Sequence, residues 1–513
     1  MHLSKSIHHL FKMLSRRVVI VSLLLLAQIL LVTLAVVRGG QRSYWVWMGM
    51  YLLCLGVALH IISNDTNPAY KIGWLASAQF RPRVGGLLYI ILGGNRLSKR
   101  LRRKMSSMHQ LMQKNLHQDP EAFAWLEQEQ PDAARQSRYL ASAADCPGYR
   151  NTETVYFPLG DDCFPRMREE LEKAERYIFL EYFIIEQGEI WNGILEILKR
   201  KAAAGVDVRV IYDDFGSIVR LPHHYRLELE RVGIRCEVFN PYIPVLSSRL
   251  NNRNHQKFMI IDGIVAFTGG VNLADEYGNI HPPFGHWKDA AVMVRGDAAW
   301  SMTTMFLAMW EYQCDQSENP ENYRPTPLCV EGQGFVQPYM DDPLDNEPVG
   351  ETVYLNLINR AKKYVRIMTP YLIIDSEMTT ALTTAAKSGV EVTIIAPHIP
   401  DKRYVHALTR AHYGKLVNAG VHIYEYTPGF IHSKVFCVDG IYATVGTVNL
   451  DFRSLYLHFE DGVWMYRAAC IPQIEHDFEK TIPICQAITP ADCIVPWYKR
   501  LAQAVLRLLA PLM

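Results

Sequence analysis

Two stretches of the chain carry the same polar residues at the same spacing. In "NHQKFMIIDGIVAFTGGVNLADEY", which begins at Asn254, His255 is followed by Lys257, Asp262 and Asn272. In "IHSKVFCVDGIYATVGTVNLDFRS", which begins at Ile431, His432 is followed by Lys434, Asp439 and Asn449. Histidine titrates near neutrality and serves as nucleophile or as general acid and base. Lysine and asparagine donate hydrogen bonds to anionic oxygens, a role that Mg²⁺ fills in many phosphoryl-transfer sites. One His on a strand is more often a core residue than a catalyst, but a Lys beside it is almost never buried unpaired. Repetition of the whole set weighs against coincidence.

Brought together about a pseudo-twofold axis, the two blocks would form an anion site with two His, two Lys and two Asn. One imidazole could attack phosphorus to give a phosphohistidine while the other protonates the leaving alkoxide, then takes a proton from the acceptor hydroxyl. Each His needs a carboxylate on its other ring nitrogen, and Asp289 and Glu460, each downstream of a block, are the candidates. The blocks contain neither an H-E-x-x-H pattern nor an Asp-rich cage, so the site reads as one built without a metal.

The elements that must position these residues also come in duplicate. "AERYIFLEYFII", "LKRKAAAGVDVRVIYDD" and "ERVGIRCEVFNP" precede the first block; "AKKYVRIMTPYLII", "TTAAKSGVEVTIIAPH" and "VNAGVHIYEYTP" precede the second. Short β-branched runs alternate with helical stretches closed by Gly205, Gly233, Gly389 and Gly420, which argues an α/β fold with largely parallel strands. Side chains alternate along a strand, so His255 and Lys257 share a face, as do His432 and Lys434. Asp-Gly is a hairpin signal, which places Asp262 and Asp439 at turns as structural anchors. The returning strand then brings Asn272 and Asn449 alongside the His and Lys. The expected division is an N-terminal anchor over 1–108, a helical connector over 109–150, one unit over 151–330, a second over 331–480, and a tail over 481–513.

With 513 residues the chain is long enough for two or three domains. Its 53 basic residues against 52 acidic give no nucleic-acid-binding footprint. Ten Cys without a C-x-x-C pair suit a reduced compartment. Val18 to Val37 and Trp45 to Ile62 are uncharged runs of 20 and 18 residues, near the length of a transmembrane helix. Lys5, Lys12, Arg16 and Arg17 precede the first run, only Arg38 and Arg42 separate the two, and Arg96 to Lys104 is strongly basic. The expectation is two spanning helices with both ends, and the units that follow, on the cytoplasmic side of a bilayer. Near the C-terminus Trp497, Leu501, Val505, Leu508 and Leu512 can share one helical face, either against a membrane interface or in a core.

At its paired blocks the chain resembles the phospholipase D superfamily, whose signature H-x-K-x4-D occurs once in each of two halves; "HQKFMIID" and "HSKVFCVD" both match. With "VDVRVIYDDFGS", "FTGGVNLADEY", "VGTVNLDFRS" and the apolar N-terminus, the resemblance narrows to bacterial cardiolipin synthases and covers nearly the whole chain. It implies two phospholipase D-like domains with His255, Lys257, Asp262, His432, Lys434 and Asp439 in the catalytic signature. It further implies that His255 is the nucleophile and His432 the general acid and base, with Lys257, Lys434, Asn272 and Asn449 on the phosphate. The implied reaction joins two phosphatidylglycerol molecules into cardiolipin and glycerol at a bacterial inner membrane, with phospholipids as partners and no cofactor. One phosphodiester replaces another, so no nucleotide is needed, and no nucleotide-binding phosphate loop is visible. A hydrolytic phospholipase, phosphatidylethanolamine as donor, a nuclease and a non-enzymatic scaffold are the alternatives. One asymmetry stands out: Gly269-Gly270 follows the first block where Gly446-Thr447 follows the second, removing a hydroxyl donor from one side.

Overall fold

The computed structural model describes residues 17–40, 44–80, 82–93, 99–243, 251–314, 318–326, 328, 330–345 and 347–512. Two α/β units carry sheets of the same topology. The first contains β1 (Thr152–Phe157), β2 (Tyr177–Tyr182), β3 (Asp207–Asp213), β4 (Arg235–Phe239), β6 (Phe258–Ile261), β7 (Val265–Gly269) and β9 (Ala291–Gly296), in the order β1-β9-β7-β6-β2-β3-β4. Two short strands of this half, β5 (Arg253–Asn254) and β8 (His286–Lys288), stand outside that order. The second contains β10 (Phe335–Asp341), β11 (Tyr364–Met368), β12 (Glu391–Pro397), β13 (His422–Tyr426), β15 (Val435–Val438), β16 (Tyr442–Gly446) and β17 (His458–Tyr466), in the matching order β10-β17-β16-β15-β11-β12-β13. Here β14 (Gly429–Ile431) stands apart, and β18 (Cys485–Ala487) extends the edge beyond β13.

The central pairs β2/β3 and β11/β12 are parallel, whereas the histidine blocks add antiparallel strands. Strands buried on both faces, such as "YIFLEY", read as continuous apolar runs because helices cover them. At the hairpins, Asp262 and Gly263 have φ of 53° and 70°, and Asp439 and Gly440 have 54° and 67°. Two successive positive φ values are the mark of a type I′ turn, which Asp-Gly favours.

The sheets share a core. The helix Ala298–Cys314 is buried on all sides from Ala298 to Trp310, and its residues join inner-face side chains of both sheets, such as Phe179, Ile260, Phe335 and Val435, in one apolar cluster. Residues 99–115, 120–129 and 131–143 are helical and pack against that cluster through Met108, Met112, Leu126 and Leu140. The link between the sheets ends where β10 begins at Phe335, not at 350; residues 315–317, 327, 329 and 346 lie outside the described residues, as does 244–250 ahead of the first block.

The N-terminus departs from expectation. Arg17–Gly40 and Tyr44–Ser63 are helices, yet among the described residues no helix is long and apolar enough to cross a membrane. Two transmembrane helices, and with them the multi-pass placement in a bacterial inner membrane with the catalytic units facing the cytoplasm, are therefore withdrawn. The second helix instead buries Val57 and Ile61 against Tyr89, with Trp74 and Leu75 beside them. Of the basic residues that flank the two apolar runs, Lys5, Lys12, Arg16, Arg42 and Arg96 lie outside the described residues. The C-terminal helix Trp497–Leu509 turns Trp497, Leu501 and Val505 outward, while Gln503 and Arg507 donate to the carbonyls of Ala407 and Ala411.

Candidate active site

Each histidine is delivered by a short strand that docks on the opposite half. β5 pairs in parallel with the start of β17, and the His255 N–H continues the ladder, donating to the Phe459 carbonyl at 2.8 Å. β14 pairs in parallel with β8, and the His432 N–H donates to the Lys288 carbonyl at 2.7 Å. The carboxylates are therefore exchanged between the halves. His255 Nδ1 lies 2.8 Å from Glu460 Oε2, and His432 Nδ1 lies 2.6 Å from Asp289 Oδ2. With each Nδ1–H donated to a carboxylate, each Nε2 keeps its lone pair for chemistry.

The lysines come with them. Lys257 Nζ donates to the His255 carbonyl at 2.7 Å, and Lys434 Nζ donates to the His432 carbonyl while lying 3.1 Å from His432 Nε2. All four side chains are buried, and Asp289 and Glu460 are wholly so. Burial pushes His255 down to about 3 and lowers His432 as well, with the neighbouring lysines adding to the effect. Burial also pushes Lys257 down to about 8 and Lys434 to about 7. Burial alone would raise Glu460 and Asp289, but the imidazoles they hold keep both below the usual carboxylate range. The site thus holds neutral imidazoles, ionised carboxylates and two ammonium groups near their titration points. A phosphodiester anion entering it would favour the charged forms of lysine and imidazole together.

The other predicted residues divide into two groups. Asn272 is buried beside His432's neighbours: its Oδ1 accepts from the Ile184 N–H and its Nδ2 donates to the Tyr277 hydroxyl at 2.7 Å, while the Tyr277 ring sits 5.6 Å from the His432 ring. Asn449 is buried with its Oδ1 unpartnered, and its N–H donates to Ser454 Oγ. Asp262 and Asp439 do not join the imidazoles. The Asp262 carboxylate accepts from the N–H groups of Glu175, Arg176 and Tyr177, each at 2.8 Å. Asp439 does the same for Lys362, Lys363 and Tyr364 at 2.8, 2.7 and 2.9 Å. These aspartates anchor the entry of β2 and β11.

Of the further partners, Thr447 was marked by the glycine asymmetry, while Ser454, Thr268 and Asp461 gave no sequence signal. Glu460 also accepts from the hydroxyls of Thr447, at 2.5 Å, and Ser454. Asp461 takes the Lys257 N–H at 3.0 Å and the Thr268 hydroxyl, and burial pushes its carboxyl up to about 7. The glycine asymmetry has a steric cause: a Cβ at Gly270 would lie 1.9 Å from Asp289 Oδ1, so only glycine lets the shorter carboxylate reach His432. Among the described residues, two sets of side chains offer metal-ligating atoms within 4.8 Å of one another, His255 with His458 and Glu460, and His109 with Asp342 and Asp345. In the first, a hydrogen bond already joins imidazole to carboxylate, with the Lys257 ammonium nearby.

Comparison with known proteins agrees with this geometry. Residues 167–280 and 354–482 match the cardiolipin synthase, phospholipase D-like domain family. A cardiolipin synthase of Geobacillus kaustophilus is 36% identical over 89% of this chain and 91% of its own length. The chain belongs to the cardiolipin synthase family. With that membership comes its enzyme class, the phosphatidyltransferases. An uncharacterized protein of Streptococcus mutans is 42% identical over 85% of this chain and 94% of its own length. Among solved structures, phosphatidylserine synthase of Haemophilus influenzae superposes with a TM-score of 0.57 at 13% identity, covering 74% of this chain and 99% of that one, which speaks to the fold alone.

Proposed function

We propose that this cardiolipin synthase family member transfers a phosphatidyl group from one phosphatidylglycerol to another, releasing glycerol, through a phosphohistidine. The reading takes the two units as 151–330 and 331–480. The observation that carries it is the crossed pair of imidazole–carboxylate contacts with a lysine bonded to the carbonyl of each histidine.

His255 Nε2 attacks phosphorus, its Nδ1–H held by Glu460. The bond to the headgroup glycerol oxygen breaks, and that oxygen takes a proton from His432, whose positive charge Asp289 stabilises. Lys257, Lys434, Asn449 and, through its second amide hydrogen, Asn272 hold the non-bridging oxygens. His432, now neutral, removes the proton from a hydroxyl of the second phosphatidylglycerol, whose oxygen attacks phosphorus and frees His255. Each P–O bond formed replaces one broken, so the reaction needs no nucleotide.

The test is purified protein with labelled phosphatidylglycerol, chelator present and nucleotide absent. Cardiolipin and glycerol in equal amounts are expected. Phosphatidic acid alone would mean that water is the acceptor, and the transfer reading would fall. His255→Ala should lose the acid-labile, base-stable phosphoenzyme, and His432→Ala, which lacks the acid for the leaving oxygen, should form it far more slowly than the wild type.

A further inference from the structure

A second pair of rings lies beside the catalytic histidines, at matching places in the two halves. Trp287 stands two residues before Asp289 on the strand that receives His432, in register with Phe430. His458 stands two residues before Glu460 on the strand that receives His255, in register with Arg253. Residues two apart on a strand share a face, so each ring lies on the face that carries its carboxylate. The Trp287 ring is 5.6 Å from the His432 ring at 44°, and the His458 ring is 5.7 Å from the His255 ring at 41°. Duplication has thus kept a flat nitrogen ring at both places while changing its chemistry.

These rings share another property. Trp287 Nε1 and both ring nitrogens of His458 are buried and have no hydrogen-bond partner. The Trp287 residue is only 6% exposed, and the 3.6 Å from His458 Nδ1 to Glu460 Oε1 is too long for a hydrogen bond. A buried donor left unpaired costs free energy, and native proteins pair nearly all of them. Two such donors at pseudo-equivalent positions, each against a reactive imidazole, have a common explanation in a ligand that fills both.

We propose that Trp287 and His458 are the lipid-headgroup contacts of the two half-sites, each taking an oxygen of the phospholipid that straddles the histidines. This rests on the phosphatidyl-transfer reading above and adds the residues that seat its substrate. The indole is a donor only and suits an oxygen that only accepts, either phosphoryl or ester carbonyl. The neutral imidazole of His458 offers one donor and one acceptor and so matches a hydroxyl, which also does both. The two half-sites are thereby unequal in what they hold, although their backbones are alike.

The test compares Trp287→Phe, which keeps the ring and removes the N–H, with His458→Ala and His458→Asn in the full chain. With phosphatidylglycerol in mixed micelles, Trp287→Phe and His458→Ala should raise KM about fivefold each, the loss of one hydrogen bond to a buried group, with kcat changed far less. His458→Asn retains a donor and an acceptor on a short side chain and should recover most of the difference. Unchanged KM in both, with only a lowered melting temperature, would overturn the proposal. If the wild type yields phosphatidic acid and no cardiolipin, the transfer reading fails while the same comparison on hydrolysis still decides the contacts. An independent readout is the Trp287 indole N–H resonance, identified by its loss in Trp287→Phe. It should move when dihexanoyl phosphatidylglycerol is added to His255→Ala protein, and a resonance that stays put would count against the contact.

Discussion

Glu460 does more than hold a ring. Its two oxygens gather the His255 Nδ1–H and the hydroxyls of Thr447 and Ser454, all in the interior. Glu460→Gln keeps the size but removes the charge that stabilises an imidazolium and allows the wrong tautomer. The expected loss in kcat is on the order of 10³-fold with little change in melting temperature. Asp289→Asn should behave alike, because His432 depends on Asp289 in the same way. The lysines set a different limit. In the free enzyme Lys434 and Lys257 lose their protons near pH 7 and 8, since burial disfavours their charge. Loss of positive charge weakens capture of a phosphodiester anion, so kcat/KM should fall as pH rises through about 7 and 8. Protonation of His255 near 3 puts the opposing acid limb far below neutrality. A kcat/KM profile that stays level to pH 10 would contradict this account of the ammonium groups.

At the scale of elements, what the sequence made legible was local. The Asp-Gly turns follow from hairpin chemistry within a few residues, whereas His255 to Lys257 and His432 to Lys434 lie ahead of β6 and β15 rather than within a strand, so period-two alternation does not apply to them. The repeat in residue order likewise anticipates sheets of one topology. The exchange of carboxylates was not legible, because linear order does not say whether β5 docks on its own half or on β17 of the other. Nor could spacing single out Trp287 or His458, whose meaning depends on register with Phe430 and Arg253. The N-terminal expectation failed for another reason: length and hydropathy describe a segment's composition, while Val57 and Ile61 face Tyr89. The hairpin aspartates give a clean test of role. Asp439→Ala strips the acceptor from three backbone N–H groups at the entry of β11 and should destabilise the protein by about 3 kcal/mol. The fraction that remains folded at low temperature should keep kcat near that of the wild type. A kcat lost on the scale of Glu460→Gln, in protein that stays folded, would instead make Asp439 part of the chemistry.

Over the whole molecule, activity depends on two halves held in one register, since each supplies the carboxylate for the other's histidine. The shared core around Ala298–Trp310 is one clamp. The helix Lys99–Asn115 ties the connector to the second half, where His109 Nδ1 lies 3.3 Å from Asp145 and Nε2 lies 3.2 Å from Asp342, just past the end of β10. Hydrogen bonds to these two carboxylates outweigh the desolvation of a partly buried ring and push His109 up to about 10. A group whose pKa rises on folding stabilises most fully below its unfolded value and loses that contribution as pH climbs through the folded value. The window here runs from about 6.5 to 10. His109 is about a quarter exposed, so solvent screening reduces the effect, and a melting-temperature difference of about 2 °C is a fair scale. The wild type should therefore lose more melting temperature between pH 6.5 and 10 than His109→Gln, the two curves converging at the alkaline end. Parallel curves across that window would show that the tie does not depend on the proton. Cardiolipin formation at pH 7 should then decline in His109→Gln only as far as the connector is loosened from the second half, which separates this tie from the residues that touch phosphate.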